Sequence, residues 1–180
     1  MKPRIVVNAD DFGIDQDVNS AIVDCHRFGT LSSTTLMMNQ AGTADAIELA
    51  RTEASLGVGL HFNLTLGRPL SLPSTVPSLV NKLGHFRTRA QFEKRAAFGR
   101  IDPADVAQEL SAQYDAFASA LGKPTHLDSH QHVHVLPGCF PSVAHFAKLR
   151  ELPIRLPYAH PQSAASTRRR LRSAALKLLL

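Results

Sequence analysis

The chain has 180 residues, of which 44% are hydrophobic and 19% are charged. This composition excludes a disordered chain, a collagen-like protein and a coiled coil, and the length fits one domain spanning residues 1–180. Residues 1–151 contain 14 of the 20 basic residues and all 15 acidic residues. The net charge of +5 therefore comes from the tail, and nucleic acid is not an expected partner.

The two cysteines, Cys25 and Cys139, are too few for a disulfide framework in a chain of this length. We expect both thiols to be buried and reduced. No apolar run is long enough for a secretion signal or a membrane span. These observations predict a cytoplasmic protein without stable insertion in a membrane.

Apolar segments in the first third of the chain alternate between the periodicities of strands and helices. Two glycines in the third strand, Gly57 and Gly59, indicate close packing of the backbone against a neighbour. The predicted elements are, in chain order, a strand at residues 5–7, a helix at residues 18–28, a strand within residues 30–39, a helix capped by Thr43, and a strand within residues 56–66.

Residues 67–100 interrupt this alternation. They include three prolines and seven basic residues against a single acidic residue. We expect this insertion to be a mobile flap that has little to bury. The alternative is a basic, solvated excursion of the surface.

The alternation resumes after the insertion. Asp102 and Pro103 are typical of a helix N-cap and first helical residue, and Gly122 of a helix end. A strand at residues 125–130, a helix after Pro141 and a strand at residues 154–156 follow. Five strands alternating with helices predict a parallel α/β sheet, although a closed eight-stranded barrel usually needs about 250 residues.

Unusual polar residues collect where these strands end, which is where parallel sheets carry their functional groups. Asp10 and Asp11 follow the first strand, and on an extended backbone their side chains point to opposite faces. One of them could bind a metal while the other accepts a proton. The alternative is an aspartate pair that caps the next helix.

Histidines end two further strands. His61 closes the third strand, although a histidine beside a phenylalanine is more often a core residue. Four histidines then alternate along one segment and share a face if that segment is extended, together with Asp128: His126, His130, His132 and His134. Imidazoles this close together repel one another when they are charged, so the pattern favours neutral imidazoles that act as metal ligands or acid–base groups. The alternative is a polar loop that happens to be rich in histidine.

A carboxylate with two imidazoles leaves coordination positions open, which is typical of a catalytic metal that activates water. Hydrolysis is therefore the expected reaction class. Neither cysteine has the spacing of a metal ligand, and the sequence contains no phosphate-binding glycine loop and no serine nucleophile elbow.

Three blocks of sequence, at residues 8–13, 59–65 and 124–134, together resemble the YdjC-like carbohydrate deacetylases. These include chitooligosaccharide deacetylases and hopanoid-associated relatives. The resemblance implies a distorted (β/α) barrel and a divalent ion, usually magnesium, at the positions matching Asp11, His61 and His130. It also implies that Asp10 is the proton-accepting aspartate.

Members of that family generally continue for several more strands, including a late His-Pro segment that could supply a general acid. This chain ends at Leu180, before any such segment, so we expect an incomplete barrel. Either the chain is a truncated form, or another subunit or a local histidine such as His132 or His134 takes that role. Substrate contacts are expected from residues beside the metal position and from the strand at residues 154–156: Asn63, Asp128, His134 and Arg155.

The resulting hypothesis is a metal-dependent hydrolase that removes N-acetyl groups from amino sugars. Two imidazoles beside one carboxylate suit zinc, nickel or cobalt better than magnesium. The alternatives are another metallohydrolase, such as a phosphoesterase, and a non-catalytic remnant that binds metal or sugar. The basic, apolar tail after residue 167 is expected to be a barrel helix that pairs with a second subunit, giving a homodimer, rather than a membrane-surface helix.

Overall fold

The computed structural model describes residues 5–157 of the chain. The predicted tail helix lies outside these residues. The elements are β1 (Asn8–Phe12), α1 (Gln16–Phe28), β2 (Ser33–Leu36), α2 (Thr43–Thr52), β3 (Gly57–Phe62), a 3₁₀ turn (Pro73–Thr75), α3 (Arg89–Ala97), α4 (Pro103–Leu121), β4 (Leu127–Ser129), a second 3₁₀ segment (His130–Val135) and α5 (Phe140–Leu149).

The strands form one parallel sheet in the order β1-β2-β3-β4, with helices as the crossovers, and the sheet is not closed. The predicted α/β class with a parallel, barrel-like and incomplete sheet is confirmed for the described residues. The fifth strand is reduced to one bridge between Leu127 and Ile154. Among the described helices, none is both long and apolar enough to cross a membrane.

The first strand begins later than predicted. Ile5, Val6 and Val7 are exposed, and the strand pairing starts at Asn8. β1 then has a bulge: Ala9 pairs with Thr34 and Phe12 with Leu36, so two residues of β1 lie opposite one residue of β2. One of these two, Asp11, has a left-handed backbone with a φ of 67°.

The local signals for helices were accurate at α4 and less so at α2. The Asp102 carboxylate accepts a hydrogen bond from the Ala104 N–H, and Gly122 ends α4 with a φ of 80°. At α2 the N-cap is Gly42 rather than Thr43. The Thr43 hydroxyl instead donates to the Met37 carbonyl, which joins this helix start to the end of β2.

The insertion at residues 67–100 packs into the hydrophobic core, so the expectation that it buries little is wrong. Its apolar side chains lie between the charged residues and pack inward. Glu109 of α4, fully buried, accepts hydrogen bonds from the Leu70 and Ser71 N–H groups. The core residues contributed by the insertion are Val76, Leu79, Val80, Phe86, Phe92 and Ala96.

The close packing predicted for the glycines of β3 is confirmed at Gly59. A Cβ atom there would lie 2.6 Å from the His126 ring and 2.9 Å from the His126 carbonyl. The prediction that both thiols are buried is correct for Cys139 and wrong for Cys25, which is exposed on α1.

Candidate metal centre

Three side chains from three strands converge at one edge of the sheet. The bulge in β1 aims Asp11 toward β3 and β4, His61 is the penultimate residue of β3, and His130 follows β4. The Asp11 Oδ1 atom lies 2.7 Å from His130 Nδ1 and 3.1 Å from His61 Nε2. The ligand atoms of the three residues all lie within 4.8 Å of one another.

His61 is held in one orientation from behind. Its Nδ1–H donates to Asp128 Oδ1 at 2.6 Å, and His61 and Asp128 are paired in the register of β3 and β4. The Thr35 hydroxyl, 2.9 Å from the same ring nitrogen, donates to the other oxygen of Asp128. These contacts leave Nε2 as the nitrogen that faces Asp11.

The charges of the cluster are strongly coupled. The side-chain contacts with His130 and then with His61 hold the pKa of Asp11 well below its usual value, although burial opposes this. Burial is the largest influence on His61 and lowers its pKa, but the bonds and charges of Asp11 and Asp128 outweigh it and raise the pKa to about 9. His61 therefore binds a proton firmly in the absence of a competing cation.

These donors fit a divalent metal ion. His61 Nε2 is buried, and its contact with Asp11 Oδ1 at 3.1 Å lacks the alignment of a good hydrogen bond, an arrangement that a bound cation would satisfy. The carboxylate behind His61 is the contact that usually orients a histidine ligand and raises its basicity. Asp11, His61 and His130 would hold the ion with one oxygen and two nitrogen ligands.

Asp10 belongs to the same polar network. Arg155 Nη1 donates to Asp10 Oδ1 at 2.5 Å and to Asp128 Oδ2 at 3.0 Å. Asp128 in turn binds His61, which lies beside Asp11. The prediction that Asp10 and Asp11 point to opposite faces is wrong, because the bulge interrupts the alternation of the strand.

The histidine-rich segment is not extended, so its histidines do not share one face as predicted. β4 ends at Ser129, and Gln131 and His132 have left-handed backbones with φ values of 56° and 57°. His132 is half-buried, and its Nδ1 is buried without a hydrogen-bond partner. His126, also half-buried, packs its ring against Gly59.

Three of the predicted substrate contacts are fully buried: Asn63, Asp128 and His134. His134 donates from Nε2 to the Arg155 carbonyl and accepts at Nδ1 from the Ser129 hydroxyl. Burial lowers the pKa of His134 to about 4, so its imidazole is neutral at pH 7. This geometry supports a structural role for the three residues rather than direct contact with a substrate, whereas Arg155 is 38% exposed.

The family model for YdjC-like proteins matches residues 4–179 of this chain. The chain belongs to the YdjC-like family. It is 42% identical over 157 residues to proteins named chitooligosaccharide deacetylase from Yersinia pestis (strain Pestoides F) and Yersinia pseudotuberculosis serotype O:1b. The match covers 87% of this chain and 60% of each relative, so the chain spans about three fifths of their length.

A solved structure has a similar fold. The crystal structure of a protein described as a cellobiose-phosphate cleavage protein, from Enterococcus faecalis V583, superposes with a TM-score of 0.79 at 31% identity. The superposition covers 88% of this YdjC-like chain and 60% of that protein. It is consistent with the barrel-like fold expected for the family.

Two residues that support the site of this YdjC-like chain were not predicted from the sequence. Thr35, near the end of β2, contacts both His61 and Asp128. Gln113 of α4 binds the backbone N–H and carbonyl of Asn63. A polar residue at a strand end could have indicated Thr35, whereas a glutamine within an amphipathic helix gives no such signal.

Proposed function

We propose that this YdjC-like chain is a metal-dependent hydrolase that removes N-acetyl groups from amino sugars or chitooligosaccharides. The observation that carries the proposal is the convergence of Asp11, His61 and His130, whose ligand atoms all lie within 4.8 Å of one another. The relatives named chitooligosaccharide deacetylase support the acetylated sugar as the substrate.

A divalent ion in this cluster would supply a Lewis acid for the acetamide carbonyl and for the attacking water. Zinc, nickel or cobalt fit one carboxylate and two imidazoles better than magnesium, the ion usual for the family. Asp11, His61 and His130 are the proposed ligands, and Asp128 keeps the His61 ring oriented. Neither cysteine is among the proposed metal ligands.

Asp10 is the proposed proton acceptor. Its half-buried carboxylate lies next to Asp11 in the chain and is held by Arg155 and by the Asn8 side-chain amide. In the reaction, the water oxygen bonds to the acetyl carbon while a water proton moves to Asp10. The carbon–nitrogen bond then breaks, and acetate and a free amine are formed.

His132 is the proposed general acid for the leaving amine. Its backbone is left-handed, which is unusual for a residue other than glycine, and such strain is concentrated at functional sites. Its Nδ1 atom is buried and makes no hydrogen bond within the described part of the protein, so this nitrogen is free to bond with a substrate. His132 would donate a proton to the amide nitrogen as that bond breaks.

Acetate release from diacetylchitobiose and triacetylchitotriose tests the proposal. The chain is assayed after loading with zinc, cobalt or magnesium, beside Asp10→Asn and the full-length Yersinia pestis relative as a positive control. We expect turnover by the wild-type chain that Asp10→Asn removes. A relative that turns over beside an inactive chain would instead support a non-catalytic, metal-binding role.

Phosphoester cleavage is the second candidate, because the similar solved structure is named for a phosphorylated disaccharide, cellobiose-phosphate. The same metal-loaded protein is assayed with p-nitrophenyl phosphate and a phosphorylated disaccharide. Phosphatase activity that Asp11→Asn abolishes, without acetate release from either sugar, would replace the deacetylase proposal. A cytoplasmic location and a homodimer remain predictions.

A further inference from the structure

Arg155 connects two carboxylates with one nitrogen atom. Its Nη1 lies between Asp10 Oδ1 and Asp128 Oδ2, and the two contacts bind residues from β1 and β4. The guanidinium is charged at every relevant pH. Both carboxylates raise the pKa of Arg155 further, although burial opposes this.

Asp10 is the carboxylate that would bind a metal ion in this site if no other group held it. It is adjacent in sequence to Asp11, yet it is not among the three residues whose ligand atoms converge. A free carboxylate this close to a bound dication would be attracted to it, because the interaction of opposite charges is strong away from bulk water. Its contact with Arg155 offers a competing partner of fixed position.

The geometry points to Arg155 as a positioning residue that keeps Asp10 out of the coordination shell of the metal. This inference rests on the proposed function and deepens it, because hydrolysis needs an open position for water and a separate base. With Arg155 in place, Asp10 stays bound to the guanidinium, apart from the three proposed ligands, and can accept a proton. Without Arg155, Asp10 would be free to bind the ion as an additional ligand and to fill the position that water needs.

Replacement of Arg155 should strengthen metal binding, whereas most substitutions in a metal site weaken it. We expect Arg155→Met and Arg155→Gln to lower the Kd for Zn²⁺ by about 3- to 10-fold. The visible spectrum of bound Co²⁺ should change, because the number and type of ligands set the metal's coordination geometry. If the wild-type chain releases acetate, kcat should fall more than KM changes.

Simple loss of positive charge must be separated from capture of Asp10. In an Asp10→Asn background, Arg155→Met should give little further gain in Zn²⁺ affinity and no spectral change, because residue 10 is then uncharged. Arg150→Met is the matched control, since Arg150 packs on Tyr114 and Phe146 instead of binding these carboxylates. Its Kd should equal that of the wild type.

Zn²⁺ affinity is measured by isothermal titration calorimetry on chelator-treated protein, and folding of each variant by circular dichroism. Unchanged or weaker binding in both folded Arg155 variants would overturn the inference, as would an equal gain in the Asp10→Asn background. Should one variant fail to fold, the other decides. Tighter, Asp10-dependent binding without acetate release would retain the inference and reject the deacetylase.

Discussion

The carboxylate of Asp11 reaches two histidines because its backbone is left-handed. A residue other than glycine in that conformation costs about 1–3 kcal/mol, and aspartate is among the residues that tolerate it best. The bulge allows neighbouring aspartates to face one polar network while holding different partners, His130 for Asp11 and Arg155 for Asp10. One local distortion thus separates the proposed metal ligand from the proposed base.

Substitution of the proposed ligands should separate metal binding from turnover. We expect His61→Ala and His130→Ala to lower metal occupancy by about tenfold or more, since each removes an imidazole ligand. Asp10→Asn should retain the metal. Elemental analysis of the purified variants measures this, with His145→Ala, an exposed histidine of α5, as the control. Unchanged metal content in both histidine variants would reject the site.

The raised pKa of His61 predicts how the metal-free protein responds to pH. Its folded pKa of about 9 exceeds the ordinary histidine pKa of 6.5, so the folded state binds the extra proton between these values. This contribution to stability is complete below pH 6.5 and is lost as the pH rises through 9. We expect Tm in chelator to fall across that range, and His61→Gln to flatten the decline.

The control for this measurement is His145→Gln, which removes an exposed imidazole and should leave the slope of Tm against pH as in the wild type. An equally steep decline in His61→Gln would show that another group carries the pH dependence.

Among the strands and helices, β3 contains a position, Gly59, at which any side chain would collide with a neighbouring residue. Gly59 leaves room for His126, whereas a Cβ at Gly57 would meet its nearest atom at an ordinary 3.5 Å. We expect Gly59→Ala to lower the free energy of unfolding by about 1–3 kcal/mol, measured by urea denaturation. Gly57→Ala is the matched control, and equal losses in both variants would contradict the steric explanation.

The insertion and α4 are joined by a buried carboxylate. Glu109 accepts from two backbone N–H groups of the insertion and from Gln113, which also holds Asn63. Removing the acceptor leaves buried donors unpaired, so Glu109→Ala should lower the free energy of unfolding by about 2–4 kcal/mol. The insertion should also become accessible to trypsin, for which it offers seven basic residues.

Asp115→Ala is the control, because Asp115 is an exposed carboxylate on the same helix. Its effect should stay within about 0.5 kcal/mol. Rapid cleavage of the insertion in the folded wild-type chain would restore the interpretation of residues 67–100 as a mobile flap.

On the scale of the whole molecule, the sheet is open within residues 5–157, and exposed apolar residues precede its first strand. Ile5 and Val6 are 86% and 69% exposed, and Phe28 at the end of α1 is 86% exposed. In the described part of the chain, β2 is the one strand that pairs with β1. Open edges and exposed apolar patches promote association.

We expect the 180-residue chain to self-associate, and Val6→Lys to weaken that association by placing a charge among the exposed apolar residues before β1. Sedimentation velocity across a range of concentrations measures it. Lys82→Glu, a charge change in the insertion, serves as the control. A monomer at every concentration would contradict both this prediction and the homodimer.

The sequence by itself determined the features that depend on neighbouring residues. The helix signals at Asp102, Pro103 and Gly122 defined α4, because capping and backbone preference act within one turn. Three motif blocks indicated the family. The polar residues at the strand ends indicated the position of the candidate site, because parallel strands place their carboxyl ends at one edge of the sheet.

Only the tertiary structure decided the features that depend on distant residues. The contact between Asp10 and Arg155 joins positions 145 residues apart, and the bulge at Asp11 exists only in the register of β1 with β2. The sequence predicted a flap at residues 67–100 because the charged residues of this insertion are evident in the sequence. The burial of its apolar side chains depends on packing against distant parts of the chain such as α4. Long-range pairing and packing select among conformations that the local sequence permits.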